Sequence, residues 1–166
     1  LALWVTLSLA SFFNRPAFLF GWDSFGYHLY LPALFIHHDP LVHDVAWVEA
    51  SRNSYGASGT LYQLSTMPDG ARVPKYSMGL AVLWAPWFLI GHAFALISGA
   101  PTDGYSEPYQ LAVQTGILVY LLFGLLALRK VLRVYFSEVT TSITMVLLFI
   151  ATNLLDQVIA GTGMPH

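Results

Sequence analysis

The stretch "YSMGLAVLWAPWFLIGHAFALIS", Tyr76 to Ser98, decides how this chain is arranged. It is long and apolar enough to cross a bilayer, which takes about 20 residues. It also carries Pro86 at its middle, Gly79, Gly91, His92 and the aromatics Trp84, Trp87 and Phe88. Those residues suit a helix lying in the membrane interface. A Pro-kinked span is the alternative, since membranes tolerate proline within helices. If the segment crosses, the polar stretches before and after it lie on opposite faces. If it lies flat, they share one.

Outward from it, the chain stays apolar. Of 166 residues, 56% are hydrophobic and 10% charged, against about a quarter charged in a soluble domain. There is too little charge to cover a water-facing surface, and the composition is that of an integral membrane protein. The net charge of −2 gives no footprint for nucleic acid. Without cysteine there are no disulfides and no thiolate metal sites.

Three further apolar segments lie at 1–13, 109–128 and 140–155, and a long polar loop, 14–75, precedes Tyr76. The chain opens in an apolar run without Met and stops at "GTGMPH", so it reads as the N-terminal piece of a larger polytopic protein. The cationic run Arg129 to Arg133, "RKVLR", is predicted to be cytoplasmic by the positive-inside rule, within a turn at 129–139. With 76–98 flat, the stretch 14–108 becomes one outer loop, and residues after 155 return to that face.

Four motifs carry candidate chemistry. In "FGWDSFGYHLYLP", Phe20 to Pro32, helical spacing puts Asp23, Tyr27 and Tyr30 on one face, with Phe25, Leu29, Pro32 and Ile36 roughly opposite and suited to lipid. An acid at membrane depth points to function; Asp before an apolar run is equally an ordinary N-cap. In "RVPKYSMG", Lys75 stands at the interface and suits a lipid phosphate, or marks the boundary by snorkelling. "HHDPLVHD", His37 to Asp44, gathers imidazoles and carboxylates without a recognisable ligand spacing, and reads as a solvated loop rather than a metal site. In "TNLLDQVIAGTGMPH", Asp156 and His166 follow the last segment and return to the face of Asp23.

In this order the pieces resemble the C-type glycosyltransferase superfamily, which includes protein O-mannosyltransferases and lipid A aminoarabinose transferases. "GWDSFGYHLYLP" is similar to the acidic motif that follows the family's first span. "PKYSMGLAVLWAPWFLIGH" is similar to the Lys-containing motif that opens an interfacial helix. The nearest likeness is to bacterial mannosyltransferase-like membrane proteins. Two departures stand out: many members carry Asp-Glu where this chain has Asp23-Ser24, and Pro-Pro where it has Tyr76-Ser77.

The resemblance implies an all-α polytopic membrane fold with interfacial helices in a long first outer loop, so that 76–98 does not span. It implies an inverting transfer of a sugar from a polyprenyl-phosphate donor to a hydroxyl acceptor on a lipid, glycan or protein, at the outer face of a bacterial inner membrane. Asp23 is then the candidate base and Lys75 the phosphate ligand. Tyr27, Tyr30, Asp156 and His166 are the candidate substrate contacts. No cofactor is required, although the chemistry leaves room for a divalent metal. The rival readings are a non-enzymatic transporter or scaffold fragment, and a lipid-linked polymer ligase sharing the donor chemistry.

Overall fold

The computed structural model describes residues 2–13 and 18–152. The protein is mostly helical. Its elements are α1 (Ala2–Phe13), α2 (Asp23–His28), α3 (Tyr30–Phe35), α4 (Ala46–Tyr55), β1 (Leu64–Thr66), β2 (Arg72–Pro74), α5 (Gly79–Ser98), α6 (Glu107–Tyr135) and α7 (Glu138–Ala151). The small antiparallel hairpin β1–β2, with Ser65 opposite Val73, lies within the polar stretch 14–75, for which the sequence predicts no strand.

Among the described residues two helices, α5 and α6, are long and apolar enough to cross a membrane, with mean hydropathies of 1.9 and 2.2. α5 continues through Pro86, whose missing N–H costs one intrahelical bond. α6 extends beyond the expected segment at both ends, so Arg129 to Arg133 occupy its last turns rather than a connecting turn. The link to α7 is only Phe136–Ser137, and the Ser137 hydroxyl caps α7 by accepting from Thr140 N–H. Arg129 donates to Glu138 at 2.6 Å, and Arg133 pairs with the same carboxylate.

The chain divides into two compact units. One comprises α1, the later part of α6 and α7. There Trp4 donates its indole N–H to the Leu118 carbonyl at 2.9 Å, and Trp4, Leu121 and Met145 pack around Leu118 and Leu125.

The other unit, residues 18–115 of the described chain, holds the candidate site. α2 and α3 form an almost continuous rod, broken at Leu29. Pro32 explains the break: it has no N–H to give the His28 carbonyl, and a proline sits comfortably only in a helix's first turn. Phe25 and Leu29 are fully buried and Pro32 is buried with them. The face expected to meet lipid therefore packs within the protein, Phe25 stacking on Tyr105 at 5.3 Å. α5 buries Ala81, Trp84, Phe88, Gly91 and Ala95 at helical spacing. α5 meets α6 at a close crossing, where a Cβ on Gly91 would lie 2.8 Å from the Tyr109 Cα. His92 and the Tyr109 phenol hydrogen-bond there at 2.5 Å. Gln110 on α6 accepts from Leu19 N–H at 2.9 Å and donates to the Tyr105 carbonyl.

Candidate functional site

Asp23 is the first residue of α2, and the residue in the N-cap position is Trp22, without a side-chain cap. The Asp23 carboxylate instead receives two phenols on Oδ1, from Tyr62 at 2.7 Å and Tyr76 at 2.5 Å. Neither partner was among the sequence candidates. Hydrogen bonds from neutral donors to a carboxylate are charge-assisted and stronger than neutral ones. Burial first, and the Asp23 hydrogen bond and charge second, push both phenols above the ordinary tyrosine value. Both therefore remain O–H donors at neutral pH.

The hairpin delivers these partners. Tyr62 precedes β1 and Tyr76 follows β2. The Lys75 N–H donates to the Gln63 carbonyl at 2.9 Å, extending the pairing past the strand ends. Gln63 is fully buried and donates its amide to the Trp22 carbonyl at 3.0 Å. Gly26 makes room: a Cβ there would lie 2.3 and 2.4 Å from Tyr76 ring carbons. Only a residue without a side chain lets the Tyr76 ring lie across α2 and reach Asp23.

Tyr27 and Tyr30 share this region through Tyr76. The Tyr27 ring packs on Tyr76 at 4.6 Å. The Tyr30 phenol donates to the Tyr76 carbonyl at 2.6 Å, with the Pro74 carbonyl at 3.3 Å. Both thus fix Tyr76, which in turn holds Asp23. Lys75, adjacent to Tyr76, is exposed; among the described residues it forms no ion pair. Asp156 and His166 lie outside the described residues.

A second acid carries the same kind of contact. Asp103 accepts from the Tyr55 phenol at 2.5 Å on Oδ2 and from the Tyr105 and Ser106 N–H groups, both 2.9 Å, on Oδ1. Burial first, and Asp103 second, push the Tyr55 phenol up. Between these acids His28 donates Nε2–H to the Gly104 carbonyl at 2.8 Å, and stacks on Phe20 at 3.7 Å. Complete burial drops its pKa to about 3, only partly opposed by the Gly104 bond, so the imidazole is neutral.

In "HHDPLVHD", Asp39 fastens a turn. Its carboxylate accepts from His43 Nδ1 at 2.9 Å and from Asp44 N–H at 3.0 Å. His37 stacks on Trp47 at 4.0 Å. Among the described residues no three metal-ligating side chains converge. An apolar cleft of ≈ 690 Å³ opens between α5 and α6, lined by Trp87, Ile90, Phe94, Leu111 and Ala112 among others. Neither Asp23 nor Lys75 lines it, so it is separate from the acid's surroundings.

Trp22 has φ 53° and ψ −121°, and Ser24 N–H donates to the Gly21 carbonyl at 3.1 Å. That is a type II′ turn with tryptophan where glycine is normally needed. A backbone held this way costs about 1–3 kcal/mol and persists only when its surroundings fix it. Here the Trp22 N–H is tied to the Ala57 carbonyl at 2.7 Å and its carbonyl to Gln63.

Family models, curated proteins and solved structures were compared with the chain, and none matches.

Proposed function

We propose that this chain is part of a membrane glycosyltransferase that moves a sugar from a polyprenyl phosphate to a hydroxyl acceptor, with inversion. One observation carries the reading: the Tyr76 phenol orients the Asp23 carboxylate, and the residue before Tyr76 in the chain is the exposed Lys75. The order of motifs, which resembles the C-type glycosyltransferases, supports it.

In this mechanism the acceptor oxygen attacks the anomeric carbon while Asp23 takes the hydroxyl proton. The bond from that carbon to the phosphate oxygen breaks, and the phosphate leaves with the electron pair. Lys75 offsets its charge. The phosphate is a good leaving group and needs no acid. Tyr62 and Tyr76 orient the carboxylate, with Tyr27 and Tyr30 behind them.

Asp23→Asn retains a hydrogen-bond acceptor for the phenols and removes the base. In the membrane-inserted protein it is expected to lower transfer from a polyprenyl-phosphate sugar at least about 100-fold. Full transfer by this variant rules out the base assignment. Lys75→Ala is expected to raise the donor KM about tenfold, and unchanged donor dependence removes Lys75 from the site.

The topology has its own support and test. Tyr76, before α5, bonds Asp23, while Asp103 and Gly104, after α5, bond Tyr55 and His28. A bilayer crossing of about 30 Å would put the two flanks of α5 on opposite faces, yet both hold the same small group of helices. We therefore favour α5 as an interfacial helix on the outer face, with α6 as a span. The chain has no native cysteine, so Thr60→Cys and Thr102→Cys report sidedness cleanly. Both are expected to react with an impermeant maleimide from the outside; labelling from opposite sides sinks this arrangement and favours the transporter or scaffold reading.

A further inference from the structure

We propose that the cationic end of α6 docks the headgroup of an anionic phospholipid. This docking is independent of the sugar transfer proposed above and needs only α6 as a span. Three of the chain's seven Lys and Arg residues, Arg129, Lys130 and Arg133, fall within five positions. Glu138 is the only acid between residues 116 and 152. Arg129 and Arg133 both reach its carboxylate. Lys130 is exposed and, among the described residues, forms no ion pair. Three cations thus share one carboxylate, and the excess of positive charge calls for an anion from outside the chain.

The cations line a groove. It has a volume of ≈ 430 Å³ and is bordered by Leu126, Arg129, Lys130, Arg133 and Val134. Spacings of three and four put these five residues on one face of α6. All of them belong to one compact unit. Leu126 lies on the side of the long apolar run of α6, and the cations follow it toward the end of the helix. A phosphate held by Arg129 and Lys130 would therefore leave its acyl chains to run past Leu126, along that apolar stretch.

The surroundings favour a lipid over a soluble anion. Leu126, Val131, Val134, Tyr135 and Phe136 are each more than half exposed in these same turns. Cations interleaved with exposed apolar and aromatic side chains suit the headgroup level of a bilayer better than open water. A soluble anion would meet only the cations. A phospholipid meets both kinds of group, and basic clusters at this level attract anionic headgroups. The planar guanidinium of arginine also matches phosphate oxygens well. A cluster that merely orients the helix needs positive charge but no preference among lipids. Glu138 competes with the headgroup for the two arginines, which gives the docking a signature: removing that acid should tighten it.

The test titrates lipids into the protein in a neutral detergent and follows the bound molecules by native mass spectrometry. The probe is phosphatidylglycerol; phosphatidylcholine with the same acyl chains and soluble glycerol 3-phosphate are the comparisons. Phosphatidylglycerol is expected to bind at least about tenfold more tightly than phosphatidylcholine. Lys130→Gln breaks no described ion pair and is expected to weaken phosphatidylglycerol binding about fivefold, with phosphatidylcholine unchanged. Glu138→Gln frees both arginines and is expected to strengthen it by a similar factor of about five. Equal affinity for the two lipids overturns the inference. So does a preference that neither Lys130→Gln nor Glu138→Gln alters, because the cluster is then a topology anchor alone. Displacement of phosphatidylglycerol by equimolar glycerol 3-phosphate also overturns it, since the groove then takes a free phosphate and makes no use of the acyl chains.

Discussion

Asp23 and Asp103 each hold a phenol at hydrogen-bond distance, and the difference between them separates a candidate catalyst from a structural clasp. Asp103 spends its other oxygen on two backbone N–H groups at the entrance to α6, and its phenol, Tyr55, closes α4 against that loop. These contacts describe a residue that fixes chain geometry. Asp23 starts a helix without a side-chain cap at its N-cap position, and the phenols of Tyr62 and Tyr76 reach it from the hairpin region, Tyr76 being the neighbour of an exposed lysine. Paired chemistry is the same in both places; what surrounds it is what differs.

The largest expected effect breaks the comparison directly. Asp23→Asn should lose transfer by about 100-fold or more while stability stays within about 1 kcal/mol, because the amide oxygen still accepts a phenol. Asp103→Ala should do the reverse. It strands two backbone donors and a phenol, a loss of about 1–3 kcal/mol, yet transfer per folded molecule should hold within a factor of a few. Thermal unfolding and donor turnover on the same preparations give both numbers. If Asp103→Ala abolishes turnover in folded protein, the two acids act together and the distinction fails.

Much of the helical frame was legible. The runs at 1–13, 76–98, 109–128 and 140–155 each fall on a helix in their described parts, because a long apolar stretch allows little else. The acid after the first run was legible too. Its partners were not. Tyr62 and Tyr76 are 39 and 53 residues from Asp23 in sequence, and they arrive on a hairpin whose strands have three residues each. No periodicity announces strands so short. Spacing put Tyr27 and Tyr30 on the Asp23 face, but it could not show what they touch: the Tyr27 ring and the Tyr30 hydroxyl both meet Tyr76. The one available signal was Tyr76 itself, directly after Lys75.

Gly26 sharpens the account of how Asp23 is held. Gly26→Ala puts a Cβ into the Tyr76 ring, and Tyr27 and Tyr30 restrict where that ring can go. Such overpacking typically costs about 1–3 kcal/mol. Displacing the Tyr76 phenol should also lower transfer about tenfold, without raising the donor KM in proportion. A Gly26→Ala protein with normal stability and turnover would show that Asp23 does not depend on Tyr76 for its orientation.

The smallest effect concerns the joint between the two acids. His28 ends the helix that Asp23 begins, and its Nε2–H holds the carbonyl of Gly104, the residue after Asp103. Its pKa falls from an unfolded value near 6.5 to about 3 in the fold. Between those limits the unfolded chain binds a proton that the folded chain refuses, so stability rises with pH across this window and this contribution levels off above about pH 6.5. At most, His28 contributes about 1.4 kcal/mol per pH unit. His28→Gln keeps an N–H for Gly104 and cannot titrate there. Its unfolding temperature, followed from pH 4 to pH 7, should change less steeply than that of the wild type, with the two curves converging in shape above pH 6.5. Parallel curves throughout would mean that acid acts elsewhere, and that the joint between the Asp23 helix and the Asp103 loop does not depend on a neutral His28.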